Sequence, residues 1–443
     1  MNAVDRAFSG AQLRTLLERL PALAAAIGEG ASQREREGTL PFEAFALFRA
    51  SGLGALRIPA ERGGPGGSIE DLVQVVATLA AADSNVAHAL RTHYNAIELW
   101  TSAPSNADSD RQLARVLEGA LFGGAFTELG TPRSGTVTTA LERQGDRIVL
   151  NGSKYYATGT AFSDFASIAV RDEEGRDATV IVPTGRAGLH VKDDWDGMGQ
   201  RLTASGSLEF DDLEVRPDEI VLTSPRSLQR RHASSLRQLY LVAVAAGIVR
   251  NVFDDAVHYV RHHARPAAHS LASAAAEDHF TQWVVGDLAA HTHAVDALIA
   301  ANARQLDRSA EALRRGAANG DVGEEGVQQL VLDGALATAK TQLAVSRIAL
   351  QAAERLFEAG GASATSRRHN FDRHWRNLRT IFSHNPLLQK ARVIGDYHLN
   401  GTTKHLEEGK VFSSPMMNPA NLDMRIPGVP FAVRLHRIRA PGR

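Results

Sequence analysis

Apolar residues in the first 120 positions recur with a period near 3.6, as in LRTLLERLPALAAAI, PFEAFALFRASG and SIEDLVQVVATLAAADSNVAHALRTHYNAIELW. That spacing lays one apolar stripe along each helix, so this part of the chain is predicted to be α-helical. Pro41 stands where a first helical turn has no use for its N–H, and Gly52 follows FRAS as a stop. Between about 121 and 225 the period shortens to two. GTVTTALERQGDRIVLNGSKYYATG, FASIAVRDE, ATVIVPTG and SGSLEFDDLEV alternate apolar with polar positions and are separated by Gly, Asn and Asp turns. This is the pattern of a compact antiparallel β domain. From about 230 the helical period returns in LRQLYLVAVAAGIVRNVFDDAVHYVRHHA, FTQWVVGDLAAHTHAVDALIAANARQLDRSAEALRRG and EEGVQQLVLDGALATAKTQLAVSRIALQAAERLFEAGG, whose broad apolar faces predict a four-helix bundle. After Gly401 the periodicity fades and prolines accumulate, so the tail is expected to be extended and to pack on a neighbouring subunit. The fold class read from this is α+β, with a helical domain at 1–120, a β domain at 121–225 and a bundle with its tail at 226–443.

Composition narrows the function. A chain of 443 residues with 44% hydrophobic content is long for one core and suggests subdomains. Its 49 Lys and Arg balance 50 Asp and Glu, so no strong field of one sign recommends nucleic acid or an anionic membrane as partner. A small-molecule partner is expected. The absence of cysteine excludes disulfides, thiolate metal sites and cysteine nucleophiles. No basic start leads into an unbroken apolar run, and no stretch reads as long and apolar enough to span a bilayer, so a cytoplasmic protein is expected.

The 17 histidines show no chelating pattern: His291 and His293 are two apart on a predicted helix, His262 and His263 adjacent, and no H-E-x-x-H occurs, so no metal site is expected. ERGGPGGS, residues 61–68, opens no β-α-β unit and reads as a turn. Neither G-x-G-x-x-G nor a P-loop is present, so no nicotinamide nucleotide is held in a Rossmann domain. FTELGTPRSG, residues 126–135, and NGSKYYATG, residues 151–159, bring amides, the hydroxyls of Thr127 and Thr158, and Tyr156 to places where strands begin and end. Such groups can hydrogen-bond and stack on a heteroaromatic ring, although the same residues also suit ordinary strands and turns.

Taken in order, the helical start, FTELGTP-SG, NGSKYYATG, GMGQRLTASGSLEFDDLEV and the final bundle resemble the acyl-CoA dehydrogenase fold along nearly the whole chain. In that family the first two motifs lie against a flavin. The family commonly carries a catalytic glutamate late in the bundle, which removes the α-proton of an acyl-CoA thioester. Alignment through FDRHWRNLRT puts Ser383, His384 or Asn385 there, with no carboxylate. A narrower resemblance, carried by NFDRHWRNLRTIFSHNPLLQKARVIGDYHLNG, AADSNVAHALRTHYN, VKDDWDGMGQRLTASGS and HHARP, is to the flavin-dependent monooxygenases of the same fold, typified by dibenzothiophene monooxygenases. Those enzymes receive reduced FMN or FAD from a separate NAD(P)H:flavin reductase. They react it with O2 to a C4a-hydroperoxyflavin, which oxygenates sulfur, nitrogen or aromatic carbon.

The resemblance implies His384, His93 and Thr158 as catalytic residues. It implies Phe126, Thr127, Tyr156, Thr158, Arg201 and Arg265 at the flavin, and Tyr94, Trp195, Ser205 and Asn385 at the substrate. His384 is expected to titrate near neutrality, stabilising the oxygen intermediate and supplying a proton. Ser363 and Ile381 stand where the family type has an arginine and a second histidine, and Arg367 or Arg368 is the candidate replacement for the lost charge. A homotetramer is implied. The rivals are an acyl-CoA dehydrogenase or oxidase whose base has moved, with Glu354 as candidate, and a non-catalytic flavin or acyl-ligand binder.

Overall fold

The computed structural model describes residues 3–133, 135–224, 227–316 and 323–407, with side chains from residue 10 onward. The expected extended tail therefore falls almost wholly outside the described residues.

Helices α1 (Ala3–Gly28), α2 (Ala31–Glu37), α3 (Phe42–Ser51), α4 (Ile69–Ala82), α5 (Ser84–Ala89), α6 (Arg91–Thr101) and α7 (Ala107–Leu117) form the first part. α3 starts after Pro41 and ends at Gly52 with φ 77°, as its sequence signals require. The long periodic stretch around 68–101 differs from a single helix. Asp83, φ −149°, turns its carboxylate onto the N–H groups of Asn85 and Val86 and begins a new helix there. A second break at Leu90 separates α5 from α6.

Eight strands follow: β1 (Phe122–Ala125), β2 (Leu141–Gln144), β3 (Arg147–Lys154), β4 (Phe165–Arg171), β5 (Asp177–Pro183), β6 (Leu189–Val191), β7 (Leu208–Val215) and β8 (Ile220–Leu222). They make two four-stranded sheets, ordered β1-β4-β5-β8 and β2-β3-β7-β6. Pairing is antiparallel except at β1 and β4, which run parallel. Leu150, Ile168, Val180, Leu208 and Leu213 from both sheets share one apolar cluster. The two consecutive aspartates of LEFDDLEV would reverse its alternation. Asp212 restores the phase by taking φ 45°, its N–H on the Asn151 side-chain oxygen at 2.7 Å, opposite a register shift in β3.

The third part holds α8 (Leu228–His262), α9 (His279–Arg315), α10 (Glu324–Gly360), α11 (Asp372–Ser383), α12 (Leu387–Asn400) and the short α13 (Lys404–Glu407). α8, α9 and α10 pack on one another, and α11 with α12 takes the fourth place of the bundle. The expectation that no stretch could span a membrane needs correction for α8, which passes the test of length and composition. Its apolar window is 72% buried, because α4, α9, α10 and α11 surround it. One continuous core joins the first helices to the bundle.

At that junction lies a buried ionic cluster. Glu98 on α6 accepts three hydrogen bonds from Arg57, at 2.9, 3.1 and 3.2 Å, and meets His232 Nε2 of α8 at 2.9 Å. His232 Nδ1 in turn meets Ser309 of α9 at 2.9 Å. Burial opposes ionisation of Glu98, but the Arg57 charge and the His232 contact outweigh it and hold the carboxyl far below the usual range.

Candidate active site

Four pieces of chain, more than 290 residues apart at the extremes, are linked side by side, with His384 at one end. The break at Leu90 points His88 from the end of α5 and Arg91 from the start of α6 toward the C-terminal end of α11. Arg91 Nη1 lies 3.2 Å from His384 Nε2. An arginine can only donate, so Nε2 must accept, and the ring proton of neutral His384 is fixed on Nδ1.

His384 keeps one accessible face, yet its surroundings dictate its charge. Desolvation first, then the cations Arg91 and Arg237, push its pKa well below the ordinary value. This corrects the expectation of an imidazole titrating near neutrality: here it is a neutral Nδ1–H donor.

The second piece is the loop 198–206. Its backbone is pinned from both sides, with Gln200 N–H on Asn377 Oδ1 at 2.6 Å and Leu202 N–H on Asn85 Oδ1 at 3.0 Å. Gly199 presses on the Arg376 carbonyl so closely that a Cβ would stand 2.1 Å from its oxygen. Gln200 and Ala204 adopt φ 52° and 46°, and Tyr156 opposite adopts φ 61°. Non-glycine residues in this region carry strain, and three of the five positive-φ non-glycine residues described gather here.

The third piece is the turn after β3. A chain of hydroxyls runs from Thr158 to Ser205 at 2.8 Å, from Ser205 to Thr203 at 2.6 Å, and from Thr203 to the Gln200 carbonyl at 2.8 Å. Tyr155, Tyr156 and Trp195 form an aromatic group with ring centroids 4.9 to 6.3 Å apart, and Trp195 Nε1 donates to the Gln200 carbonyl at 2.9 Å. Tyr156 and Phe126 leave apolar faces exposed. Thr127 accepts a bond from Tyr155 N–H at 2.8 Å, which ties the β1 exit to this shelf. Behind it the buried Glu128 carboxylate takes the N–H groups of Thr138 and Thr139 and pairs with Lys154. Gly159, φ 77°, rests against α5 with the Ala89 carbonyl 2.1 Å from where a Cβ would be. Gly159→Ala is expected to cost about 1–3 kcal/mol through backbone strain and that collision. Thermal unfolding with and without FMN checks this, and the larger loss should appear in the FMN-dependent part.

Several expected site residues sit elsewhere. His93 is buried, its Nε2–H on the Gly54 carbonyl at 2.9 Å and its Nδ1 accepting from Phe122 N–H at 3.3 Å, so neither nitrogen is left for chemistry. Tyr94 is a core residue whose hydroxyl donates to the Leu53 carbonyl at 2.9 Å. Arg201 turns to Glu35 on α2, and Arg265 is exposed in the turn after α8, making no contact with His384 or the shelf. Arg368 is engaged with His369 and lends its carbonyl to Arg36, while Ile381 is wholly buried. Glu354 is exposed on α10, so it offers no relocated base.

His88 and Gln200 were not singled out from the sequence, although both lie inside quoted motifs. The signal for His88 was Asp83, a capping residue that could have marked the break and changed which histidine faces inward. Burial first, then Arg91, pushes the His88 pKa down to about 3, and burial pushes that of His93 down to about 4. Above pH 6.5 both rings are neutral folded or unfolded, and their contribution is complete. As pH falls toward 4 only the unfolded chain takes up protons, so stability should fall by up to about 1.4 kcal/mol per pH unit per ring. His93→Gln should flatten that slope by about one proton in unfolding experiments between pH 6.5 and 4.5.

Four buried polar atoms on these pieces lack partners: His88 Nδ1, Arg91 Nε, Gln200 Oε1 and Asn385 Nδ2. Such atoms are costly unless a ligand satisfies them. The His88 and Gln200 atoms, together with the exposed faces of Phe126 and Tyr156, fit a planar, polar heteroaromatic group such as a flavin ring. Fold and site thus define a flavoenzyme of the acyl-CoA dehydrogenase fold that has no carboxylate at the bundle position.

Comparison agrees. The chain matches the acyl-CoA dehydrogenase N-terminal domain over residues 14–120, the middle domain over 125–213 and the C-terminal domain over 239–388. It is 31% identical to a probable FMNH2-dependent monooxygenase SfnC of Pseudomonas putida, over 85% of this chain and 93% of that one. It is also 31% identical to a dibenzothiophene monooxygenase of Mycolicibacterium goodii, over 83% and 89%. FMN-bound TdsC from Paenibacillus sp. A11-2 superimposes with a TM-score of 0.79 at 28% identity, covering 88% of this chain and 98% of that one. The methanesulfinate monooxygenase MsuC of Pseudomonas fluorescens gives 0.76 at 28% identity, over 87% and 97%. The chain belongs to the flavin-dependent monooxygenases of the acyl-CoA dehydrogenase fold.

Proposed function

We propose that the chain is the oxygenase half of a two-component system, taking reduced FMN or FAD from a separate NAD(P)H:flavin reductase and oxygenating a small organic substrate with O2. Bound reduced flavin supplies the two electrons that let one oxygen atom enter the substrate while the other leaves as water. The observation that carries this is His384: a neutral Nδ1–H donor, oriented by Arg91, stands where the dehydrogenase resemblance calls for a carboxylate. A hydrogen-bond donor favours developing negative charge on oxygen, whereas an ionised carboxylate would oppose it.

In this reading Phe126, Thr127 and Tyr156 flank the flavin ring. The Thr158, Ser205 and Thr203 hydroxyls pass a hydrogen bond toward it, and Arg265 reaches its phosphate side from a neighbouring subunit, while Arg201 stays with Glu35. Trp195 and Asn385 border the substrate, with His88 taking the place first given to His93. The relatives named for dibenzothiophene and methanesulfinate support oxygenation at sulfur. The domain limits 1–120, 121–225 and 226–443 and a cytoplasmic homotetramer complete the proposal. Exposed Leu271, Phe280 and Trp283 around the start of α9, with Leu388 and Leu399 on α12, support the oligomer.

The test mixes the protein anaerobically with photoreduced FMN, then with oxygenated buffer, and follows near-ultraviolet absorbance. Product formed under 18O2 is collected from a panel of organosulfur compounds. A transient band outlasting free-flavin reoxidation, and one labelled oxygen atom per product, are expected. Reoxidation indistinguishable from free flavin would overturn the reading.

A further inference from the structure

Several charges in the interior of this protein are matched by an opposite one. Arg57 pairs with Glu98, Arg373 with Asp255, and Arg376 with Glu35, all within 3.0 Å. The cavity of about 430 Å³ behind Asn377 follows the same rule, for the Asp83, Glu35 and Arg373 on its walls each have an oppositely charged partner. At His384 the rule fails. Arg91 contacts only the neutral His384 ring, its Nε is buried without a partner, and Arg237 from α8 adds a second guanidinium close enough to repel it. Among the described residues no carboxylate pairs with either arginine.

Helix packing keeps the two cations together. Three residues after Arg237, the Tyr240 hydroxyl donates to the Ala87 carbonyl of α5 at 2.7 Å, and its ring lies against Tyr94 of α6. α8 is therefore fixed against the α5–α6 break from which Arg91 projects. Two half-buried cations that repel one another without a counter-charge are unfavourable in the empty protein and gain when an anion joins them. A guanidinium fork matches two coplanar oxygens of one head group.

We propose that the substrate carries an anionic oxygen head, a carboxylate, sulfinate or sulfonate, that docks between Arg91 and Arg237 beside His384. This rests on the monooxygenase reading and names its substrate class. The same chemistry could be claimed by a flavin phosphate, and the experiment separates the two. Flavin-free full-length protein is titrated calorimetrically with benzenesulfinate, benzoate and the neutral methyl phenyl sulfone. FMN and riboflavin affinities are measured in parallel by flavin fluorescence. Native protein, Arg91→Gln, Arg237→Gln and Arg91→Lys are compared.

The native protein should bind at least one anion about tenfold or more tighter than the sulfone, and each glutamine variant should lose about tenfold to a hundredfold of that affinity. Arg91→Lys should retain part of it, and the FMN-to-riboflavin ratio should stay constant throughout. Because the empty protein holds these charges unmatched, the glutamine variants should unfold at or above the native temperature. No anion preference in the native protein, or a lowered unfolding temperature in both glutamine variants, overturns the proposal. So does loss confined to the FMN preference, which assigns the arginines to the flavin phosphate. If anion binding behaves as expected but no 18O enters any product, the oxygenation reading fails and the anion site stands.

Discussion

His384→Ala is expected to lower product formation by about a hundredfold to a thousandfold, the usual loss when one preorganised donor at a reacting oxygen is removed. Flavin affinity should hardly change, because the ring is held by the shelf of Phe126 and Tyr156 and by the Thr158 hydroxyl chain rather than by α11. The electrons of reduced flavin will still reach O2, but they should appear as hydrogen peroxide instead of oxygenated substrate. His384→Asn should recover part of the coupling, since its amide can donate where Nδ1–H did. Measuring peroxide and product together separates this outcome from simple unfolding, which would abolish flavin binding as well. Equal coupling in the alanine variant and the native enzyme would remove His384 from the mechanism.

Glu98→Ala should cost about 3–5 kcal/mol, because it leaves Arg57 as an unmatched cation in the core and deprives His232 of its partner. Replacing the pair together, Arg57→Met with Glu98→Leu, should recover much of that loss, since burying two apolar side chains avoids desolvating two charges. Chemical denaturation of the single and double variants decides the matter. A single variant as stable as the native chain would show that the cluster contributes nothing net. The site and this cluster share α6 and α8, so the loss is also expected to loosen Arg91 and Arg237.

The architecture was readable because each third keeps one period over many residues, and long periodic runs survive local exceptions. Motif order then gave the family and led to His384. The order of side chains around His384 was less accessible. His88 and His93 lie five residues apart, and which one faces inward depends on whether the helix continues through Asp83 and Leu90. Asp83 capping a new helix settles it, a packing outcome that apolar spacing does not record. Gln200 and its left-handed backbone follow from Asn377 and Arg376, 177 and 176 positions away. No local pattern announces such a constraint. The suppressed basicity of His384 has a similar origin, arising from arginines on two other helices.

The clamp between loop 198–206 and α11 also sets a timetable. Gln200 can hand its N–H to Asn377 only after residues beyond 384 have left the ribosome. At about 5–20 residues per second that is roughly ten to forty seconds after the loop itself is made. The nascent chain thus spends that interval with loop 198–206 unclamped and its oxygen chemistry absent. A product truncated before α11 would lack this clamp, the fourth place of the bundle and His384 together.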